Sequence, residues 1–142
     1  MRIEPLSPDH LRKIQLHDSQ QYLAGSLNGS APEKVVMIGD GYSAIDDHGE
    51  VIYCAGVLPV WPGRGIAWAY ISMHACRHML KVTRSVRRYL EITPHRRIEA
   101  AVDVGFEEGH RWMRLLDFNH EGRLEAYAPD GHDVDLYARI KR

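Results

Sequence analysis

The chain has 142 residues and a mass of 16.2 kDa, the usual size of one folded domain. Hydrophobic residues make up 44% and charged residues 26%, a balance that excludes an intrinsically disordered chain. The formal net charge of −1 excludes a strong overall field that would attract nucleic acid or a membrane surface. We therefore expect a single domain over residues 1–142 with neither kind of partner.

The chain shows no sign of export. Its longest apolar run is far shorter than the roughly 20 residues that span a bilayer, and residues 1–20 contain no apolar signal-peptide core. Cys54 and Cys76 do not form a CxxC pair, so we expect them to be reduced and buried rather than bridged. These features predict a cytoplasmic protein.

The N-terminal third is predicted to hold a strand, a helix and a loop. Arg2–Leu6 favours a short strand, and Ser7–Asp9 is a helix-start signal because a cap residue precedes a proline. Apolar residues from Leu11 to Leu16 have helical spacing, which could continue to Leu23. The stretch Gly25–Pro32 (GSLNGSAP) has the composition of a loop.

The middle of the chain predicts three strands. Tyr42–Ile45 and Val51–Leu58 flank the turn sequence Asp46–Gly49 and are typical of a hairpin. A second turn, Trp61–Gly65, leads into a third predicted strand, Ile66–Ser72.

The C-terminal half alternates helices with strands. Apolar residues recur at helical spacing over Ala75–Leu90, and a strand is predicted over Arg97–Asp103. A second helix over Glu107–Leu116 is followed by a closing hairpin of Leu124–Ala128 and Val134–Arg139.

The predicted order is β-α-β-β-β-α-β-α-β-β, which indicates an α/β (α+β) fold. Because hairpins and crossovers both occur, we expect a mixed, twisted central sheet of six or seven strands flanked by helices. Ile66–Ser72 and Arg97–Asp103 are joined by a helix, so they should run parallel, and we expect them to diverge at their C-terminal ends.

Three sets of residues resemble the GNAT superfamily of N-acetyltransferases over residues 35–140. Val102–Phe118 is similar to the family's strand-to-helix segment, with Leu116-Asp117-Phe118 where the family has Leu-Gly-Phe. Asp47–Val57 is similar to the hairpin that enters the family's central sheet. The third set resembles small GNAT-like proteins of short-tailed phages and consists of Trp61-Pro62-Gly63, Arg111-Trp112 and Tyr127–Gly131.

The resemblance implies an acyl-CoA-dependent transfer of an acetyl group to an amine, with acetyl-CoA as cosubstrate. In the family, backbone groups of the fourth strand bind the pantetheine arm, and the phosphates lie at the start of the next helix. Seven residues would contact acetyl-CoA: Ala69, Tyr70, Ile71 and Met73 along the arm, and Arg77, His78 and Lys81 at the phosphates. Glu99 or Asp103 would take the proton of the amine.

Several positions depart from the family pattern. Residues 73–79 contain no glycine, although the family's phosphate loop is glycine-rich. The family's helix-start asparagine falls on Phe106, its tyrosine acid on Met113 and its strand glutamate on Ala101. The alternative is therefore a GNAT-fold protein without catalysis, acting as a virion component or as an inhibitor of a host protein. Oligomeric state, including a homodimer, is left open.

Two patterns in and just before the predicted helix Ala75–Leu90 have interpretations other than ligand binding. Arg77, Lys81, Arg84 and Arg88 share one face, which is typical of a solvated polar surface as well as of a phosphate or nucleic-acid contact. His74 and His78 lie four residues apart, but further ligands and the glutamate of an HExxH motif are missing. We therefore predict no metal site.

Overall fold

The computed structural model describes residues 1–38 and 40–142. Within them the chain forms seven strands and four α-helices: β1 Arg2–Pro5, α1 Pro8–Lys13, α2 Ala31–Ile38, β2 Asp40–Ile45, β3 Val51–Trp61, β4 Arg64–Ile71, α3 Met79–Ile92, β5 Arg97–Asp103, α4 Glu107–Leu115, β6 Asn119–Leu124 and β7 Val134–Ile140. Two further segments are 3-10 helices, Asp18–Leu27 and Ala75–His78. No helix in these described ranges is long and apolar enough to cross a membrane.

The strands form one mixed sheet in the order β1-β2-β3-β4-β5-β7-β6. β4 and β5 pair in parallel, whereas the pairs β1–β2, β2–β3, β5–β7 and β6–β7 are antiparallel. The α/β fold class, the mixed sheet of six or seven strands and the parallel central pair are therefore confirmed, and the sheet has seven strands.

The parallel pair is short. Its register covers Arg64 with Arg97, Gly65 with Ile98 and Ile66 with Glu99. β4 then continues to Ile71 and β5 continues to Asp103. The hydrogen-bonded register thus ends before either strand does.

The chain divides into two compact units. The first consists of Met1–Leu58 with Trp68–Val82, and the second of Pro59–Ala67 with Thr83–Arg142. The first unit has a core of buried residues that includes Leu6, Leu11, Ile14, Leu16, Ile45, Val51 and Cys54. Buried residues of the second include Leu90, Ile98, Val102, Met113, Leu116, Phe118, Val134 and Tyr137. A single domain over residues 1–142 stays a prediction.

Helix α1 begins where the sequence predicts but ends early. The Ser7 hydroxyl accepts a hydrogen bond from the Asp9 N–H at 3.2 Å, and His10 Nδ1 accepts one from the Ser7 N–H at 3.2 Å. These reciprocal bonds form a capping box. The helix ends at Lys13, so the predicted continuation to Leu23 was wrong.

The predicted bounds of the loop Gly25–Pro32 were wrong at both ends. The first 3-10 helix extends to Leu27, and α2 already begins at Ala31. The backbone N–H groups in the first turn of a helix have no intrahelical partner, so proline, which lacks an N–H, loses no hydrogen bond there. Pro32 therefore marks a helix start rather than a loop.

The predicted strand Leu124–Ala128 was also wrong, because β6 starts earlier and ends at Leu124. The reason lies at the end of α4, where Asp117 adopts a φ of 64° and reverses the chain. The N–H of Phe118 donates to the carbonyl of Met113 at 2.9 Å, and that of Asp117 to the carbonyl of Arg114 at 3.1 Å. This is a Schellman motif, in which glycine usually holds the position that Asp117 occupies.

Both cysteines are free. Cys54 is buried, and burial raises the pKa of its thiol to about 11. Cys76 is exposed, so the prediction that it is buried was wrong. Cys76 lies in the 3-10 helix that precedes α3, where its side chain is exposed to solvent.

Candidate active site

The second half of β4 is more exposed to solvent than is usual for an internal strand of a sheet. None of the six residues from Ile66 to Ile71 is buried, and Ile66 is 36% exposed. In β3, by contrast, the four residues from Val51 to Cys54 are all buried. An internal strand is usually covered on both faces, so this exposure marks the end of β4 as a candidate binding surface.

One edge of this segment faces away from β3. The Ser72 N–H donates to the carbonyl of Ile52 on β3 at 2.9 Å. Successive residues of a strand direct their backbone groups to opposite edges. The N–H and carbonyl groups of Ala69 and Ile71 therefore lie on the other edge, which we call the open edge of β4.

A glutamine side chain binds the open edge at two points. The Ile71 N–H donates to Oε1 of Gln20 at 2.7 Å, and Nε2 of Gln20 donates to the carbonyl of Ala69 at 2.9 Å. Gln20 belongs to the 3-10 helix Asp18–Leu27. Its carboxamide thus pairs with β4 in the way that a backbone amide of a neighbouring strand would.

The residues before Gln20 follow the same edge. The N–H of His17 donates to the carbonyl of Ile71 at 2.7 Å, and Leu16 forms an isolated antiparallel bridge with Ser72. The N–H of Met73 donates to the carbonyl of Gln15 at 2.8 Å. The backbone groups of Ile71 and Met73 are therefore occupied by the segment of residues 15–20.

The turn after β4 is fastened by Ser72. Its hydroxyl accepts from the His74 N–H at 3.0 Å, and its carbonyl accepts from the Ala75 N–H at 3.1 Å. The 3-10 helix Ala75–His78 begins at this point without a side-chain cap and leads into α3. Arg77 and Lys81 are exposed at the start of these helices.

The seven residues predicted to contact acetyl-CoA lie in the first compact unit. Four of them, Ala69, Tyr70, Ile71 and Met73, belong to β4 or directly follow it, and the other three, Arg77, His78 and Lys81, belong to the following 3-10 helix or to α3. The structure therefore places these residues on consecutive segments of one unit, and their role in binding stays a prediction.

Glu99 is held by two arginines in the second unit. It forms ion pairs with Arg64 and Arg97, with 3.0 Å from Nη2 of Arg64 to Oε1 and 3.0 Å from Nε of Arg97 to Oε2. The hydrogen bonds from Arg64 are the main cause that lowers the pKa of Glu99 to about 2. A carboxylate with so low a pKa is a weak general base, so this geometry favours a structural role.

Asp103 is paired with His132, a residue outside the predicted site. Its Oδ1 accepts from the N–H of Gly105 at 2.8 Å, and its Oδ2 forms an ion pair with Nε2 of His132. Nδ1 of His132 contacts Asp130. The hydrogen bond to Asp130, with the charge of Asp103 adding to it, raises the pKa of His132.

The only sequence signal for His132 was its place just after the predicted turn Pro129–Gly131. A carboxylate and an imidazole in contact can exchange a proton with a third group. Of the two predicted carboxylates, Asp103 is therefore the one with a partner suited to proton transfer.

The three residues of the second unit that depart from the GNAT pattern, Phe106, Met113 and Ala101, lie in different surroundings. Met113 is 6% exposed, so a tyrosine there would bury its hydroxyl in the core of this unit. Phe106 precedes α4 and makes no side-chain cap hydrogen bond. Ala101 is exposed on β5.

Across the described residues, histidine, cysteine and carboxylate side chains nowhere gather in a group of three or more that could hold a metal ion. Nε2 of His74 lies 3.2 Å from Oε1 of Gln15, so this histidine contacts an amide rather than a second ligand. The four basic residues of the stripe, Arg77, Lys81, Arg84 and Arg88, are all exposed.

No protein-family model matches the sequence, and no curated protein matches it. Solved structures do. A candidate phosphinothricin N-acetyltransferase is 16% identical with a TM-score of 0.73, and the match covers 99% of this chain and 98% of the other. The spermidine/spermine N-acetyltransferase SpeG from Vibrio cholerae, crystallised with manganese ions, is 14% identical with a TM-score of 0.71, covering 98% and 91%.

A third match is a GNAT superfamily phosphinothricin acetyltransferase from Sinorhizobium meliloti in complex with AcCoA. It is 17% identical with a TM-score of 0.67, and the match covers 98% of this chain and 87% of the other. Identities this low bear on the fold alone. The structural neighbours are GNAT-superfamily acetyltransferases, and the chain has their fold.

Proposed function

We propose that the chain is an acyl-CoA-dependent N-acetyltransferase of the GNAT superfamily that acts on an amine. The observation that carries this proposal is the end of the β4–β5 register at Ile66 and Glu99 within a GNAT fold. Beyond that point β4 presents the open edge, whose residues are half-buried and whose backbone groups bind residues 15–20. An extended ligand with amide groups suits such an edge, because it can pair with the backbone as a strand does.

The pantetheine arm of acetyl-CoA is a ligand of that kind, since it carries two secondary amides. On this proposal its amides pair with the backbone of Ala69 and Ile71, with Tyr70 and Met73 adjoining. Support comes from Gln20, whose carboxamide already makes both hydrogen bonds that an amide would make there. A structural neighbour in complex with AcCoA supports the choice of this cosubstrate.

The phosphates of acetyl-CoA would lie at the start of the helical segment after β4. Arg77 and Lys81 are exposed there, and His78 completes the group. Charge-assisted hydrogen bonds from these side chains would offset the missing glycines of residues 73–79. The rest of the basic stripe, Arg84 and Arg88, would stay solvated.

Transfer requires the amine nitrogen to attack the thioester carbonyl and to lose a proton, while the thiolate leaves and gains one. We assign the proton transfer to Asp103 with His132 rather than to Glu99. Asp103 would take the proton of the amine, and hydrogen bonding to Asp130 raises the pKa of His132, which favours a protonated ring beside that carboxylate.

An assay of acetyl transfer tests this function. The purified chain would be incubated with acetyl-CoA and a panel of amines, polyamines and N-terminal peptides, and products would be identified by a mass increase of one acetyl group. We expect one amine class to be acetylated and His132→Gln to slow the reaction about 10²-fold or more. Binding of acetyl-CoA with no transfer to any amine would favour the alternative.

That alternative is a GNAT-fold binding protein without catalysis. Two observations favour it: residues 73–79 lack glycine, and Met113 replaces the family's tyrosine acid within a buried environment. A virion component or an inhibitor of a host protein would fit it. Origin from a short-tailed phage, a cytoplasmic location and a homodimer remain predictions under either function.

A further inference from the structure

We infer that Gln20 is a built-in competitor of acetyl-CoA, which must leave the open edge of β4 before the pantetheine arm can bind. This inference rests on the proposed function, because it concerns the same backbone groups. It adds a control element that lies outside the residues assigned to the cosubstrate.

The geometry of the contact carries the inference. A side-chain amide can satisfy one strand edge at two points only if its oxygen and nitrogen face an N–H and a carbonyl on the same edge. Gln20 does this with Ile71 at 2.7 Å and Ala69 at 2.9 Å. A ligand amide that paired with these two groups would need the same positions, so the two cannot bind together.

The segment that carries Gln20 is suited to movement. It is a 3-10 helix of ten residues, Asp18–Leu27. Runs longer than three or four residues are uncommon in this conformation because its hydrogen bonds are poorly aligned. A cavity of about 630 Å³ adjoins it, lined in part by Gln21, Ala24 and Leu27. The segment therefore has weak internal bonds and open space beside it.

The consequence is a reduced apparent affinity. When only a fraction of molecules has the open edge uncovered, the apparent dissociation constant rises by the inverse of that fraction. Removing the carboxamide leaves the Ile71 N–H and the Ala69 carbonyl to water in the free protein, while the Ile71 carbonyl keeps its hydrogen bond from the His17 N–H. Acetyl-CoA should then bind more tightly.

Calorimetric titration with acetyl-CoA tests this on the full chain. We expect Gln20→Ala to lower the dissociation constant about tenfold, the scale of two net hydrogen bonds that no longer have to be broken. Gln20→Met, which keeps the length of the side chain without the amide, should do the same and guards against a folding defect of the alanine variant. Gln21→Ala is the matched control, since its amide donates to the Leu16 carbonyl at 2.8 Å rather than to β4.

The outcomes separate the inference from the function. Tighter binding in both Gln20 variants but not in Gln21→Ala supports the inference, as does binding in the Gln20 variants alone. Equal or weaker binding in the Gln20 variants would overturn the inference and leave the proposed function standing. Absence of binding in every variant would overturn both.

Discussion

Asp103 at the end of β5 and His132 in the loop before β7 form an ion pair, although they lie 29 positions apart in the sequence. Asp130 contacts the opposite ring nitrogen, so the imidazole lies between two carboxylates. The ion pair ties the loop before β7 to the end of β5. It supports both a prediction about stability and the assignment of proton transfer.

We predict that stability falls as the pH rises through the pKa of His132. The folded protein raises this pKa, so the protonated ring stabilises the fold at pH values below the unfolded pKa of about 6.5, and the contribution disappears above the folded pKa. Because the ring is partly exposed, we expect about 1 kcal/mol or less. Thermal unfolding between pH 5.5 and 8.5 measures this.

His132→Gln is the control for that measurement, since it should flatten the profile over this range. Any pH dependence that remains in the variant comes from groups other than His132. A profile that is the same with and without His132 would show that the ion pair adds nothing to stability.

Glu99→Gln should reduce stability rather than abolish catalysis. The change removes the charge that pairs with Arg64 and Arg97 at a site only 8% exposed, so we expect a loss of about 1–3 kcal/mol in the free energy of unfolding. In the wild type this contribution is present above pH 4.5 and is lost as the pH falls towards 2.

Urea denaturation and an activity assay on the folded variant separate the two roles of Glu99. Asp103→Asn is the matched carboxylate change on the same strand, and we expect it to cost activity. Loss of activity in Glu99→Gln at unchanged stability would instead make Glu99 the base.

Replacing Arg77 and Lys81 together with alanine should weaken acetyl-CoA binding by about 1–3 kcal/mol, the scale of losing charge-assisted hydrogen bonds to phosphate. Arg84→Ala with Arg88→Ala removes the same charge from the same stripe further along α3 and serves as the control. Equal losses in the two double variants would indicate a general charge effect instead of a phosphate site.

Asp117→Gly should stabilise the protein. Asp117 has a φ of 64°, a region that costs side-chain-bearing residues energy and glycine almost none. We expect a gain of about 0.5–1 kcal/mol by denaturant unfolding. Asp117→Ala keeps the strained backbone and should give no gain, so a similar gain in both variants would contradict this explanation.

Local signals in the sequence were enough for most of the fold. The cap at Ser7, the β-branched strands and the helical spacing after Ala75 each act through neighbouring residues, and the elements they predict are present. The errors fall where the chain departs from common local rules. A ten-residue 3-10 helix has no characteristic spacing of apolar residues. Asp117 adopts the left-handed conformation that glycine usually adopts at a helix end, and β6 therefore starts several residues earlier than predicted.

The site was less predictable because its contacts are distant in sequence. Gln20 reaches Ile71 across 51 positions, and nothing in the residues around Gln20 indicates a partner on β4. Glu99 and Asp103 look equivalent on one strand, yet Glu99 pairs with Arg64 and Arg97 whereas Asp103 pairs with His132. Only the fold assigns them different surroundings.

Backbone amide chemical shifts of the labelled chain, followed during addition of acetyl-CoA, test most directly whether the open edge of β4 is a cosubstrate site. We predict saturable shifts for the amides of Ala69, Ile71 and Met73 and for those of residues 76–78, together with the Nε2 protons of Gln20. Shifts confined to other parts of the chain, or none at saturating acetyl-CoA, would contradict the proposed site and the function built on it.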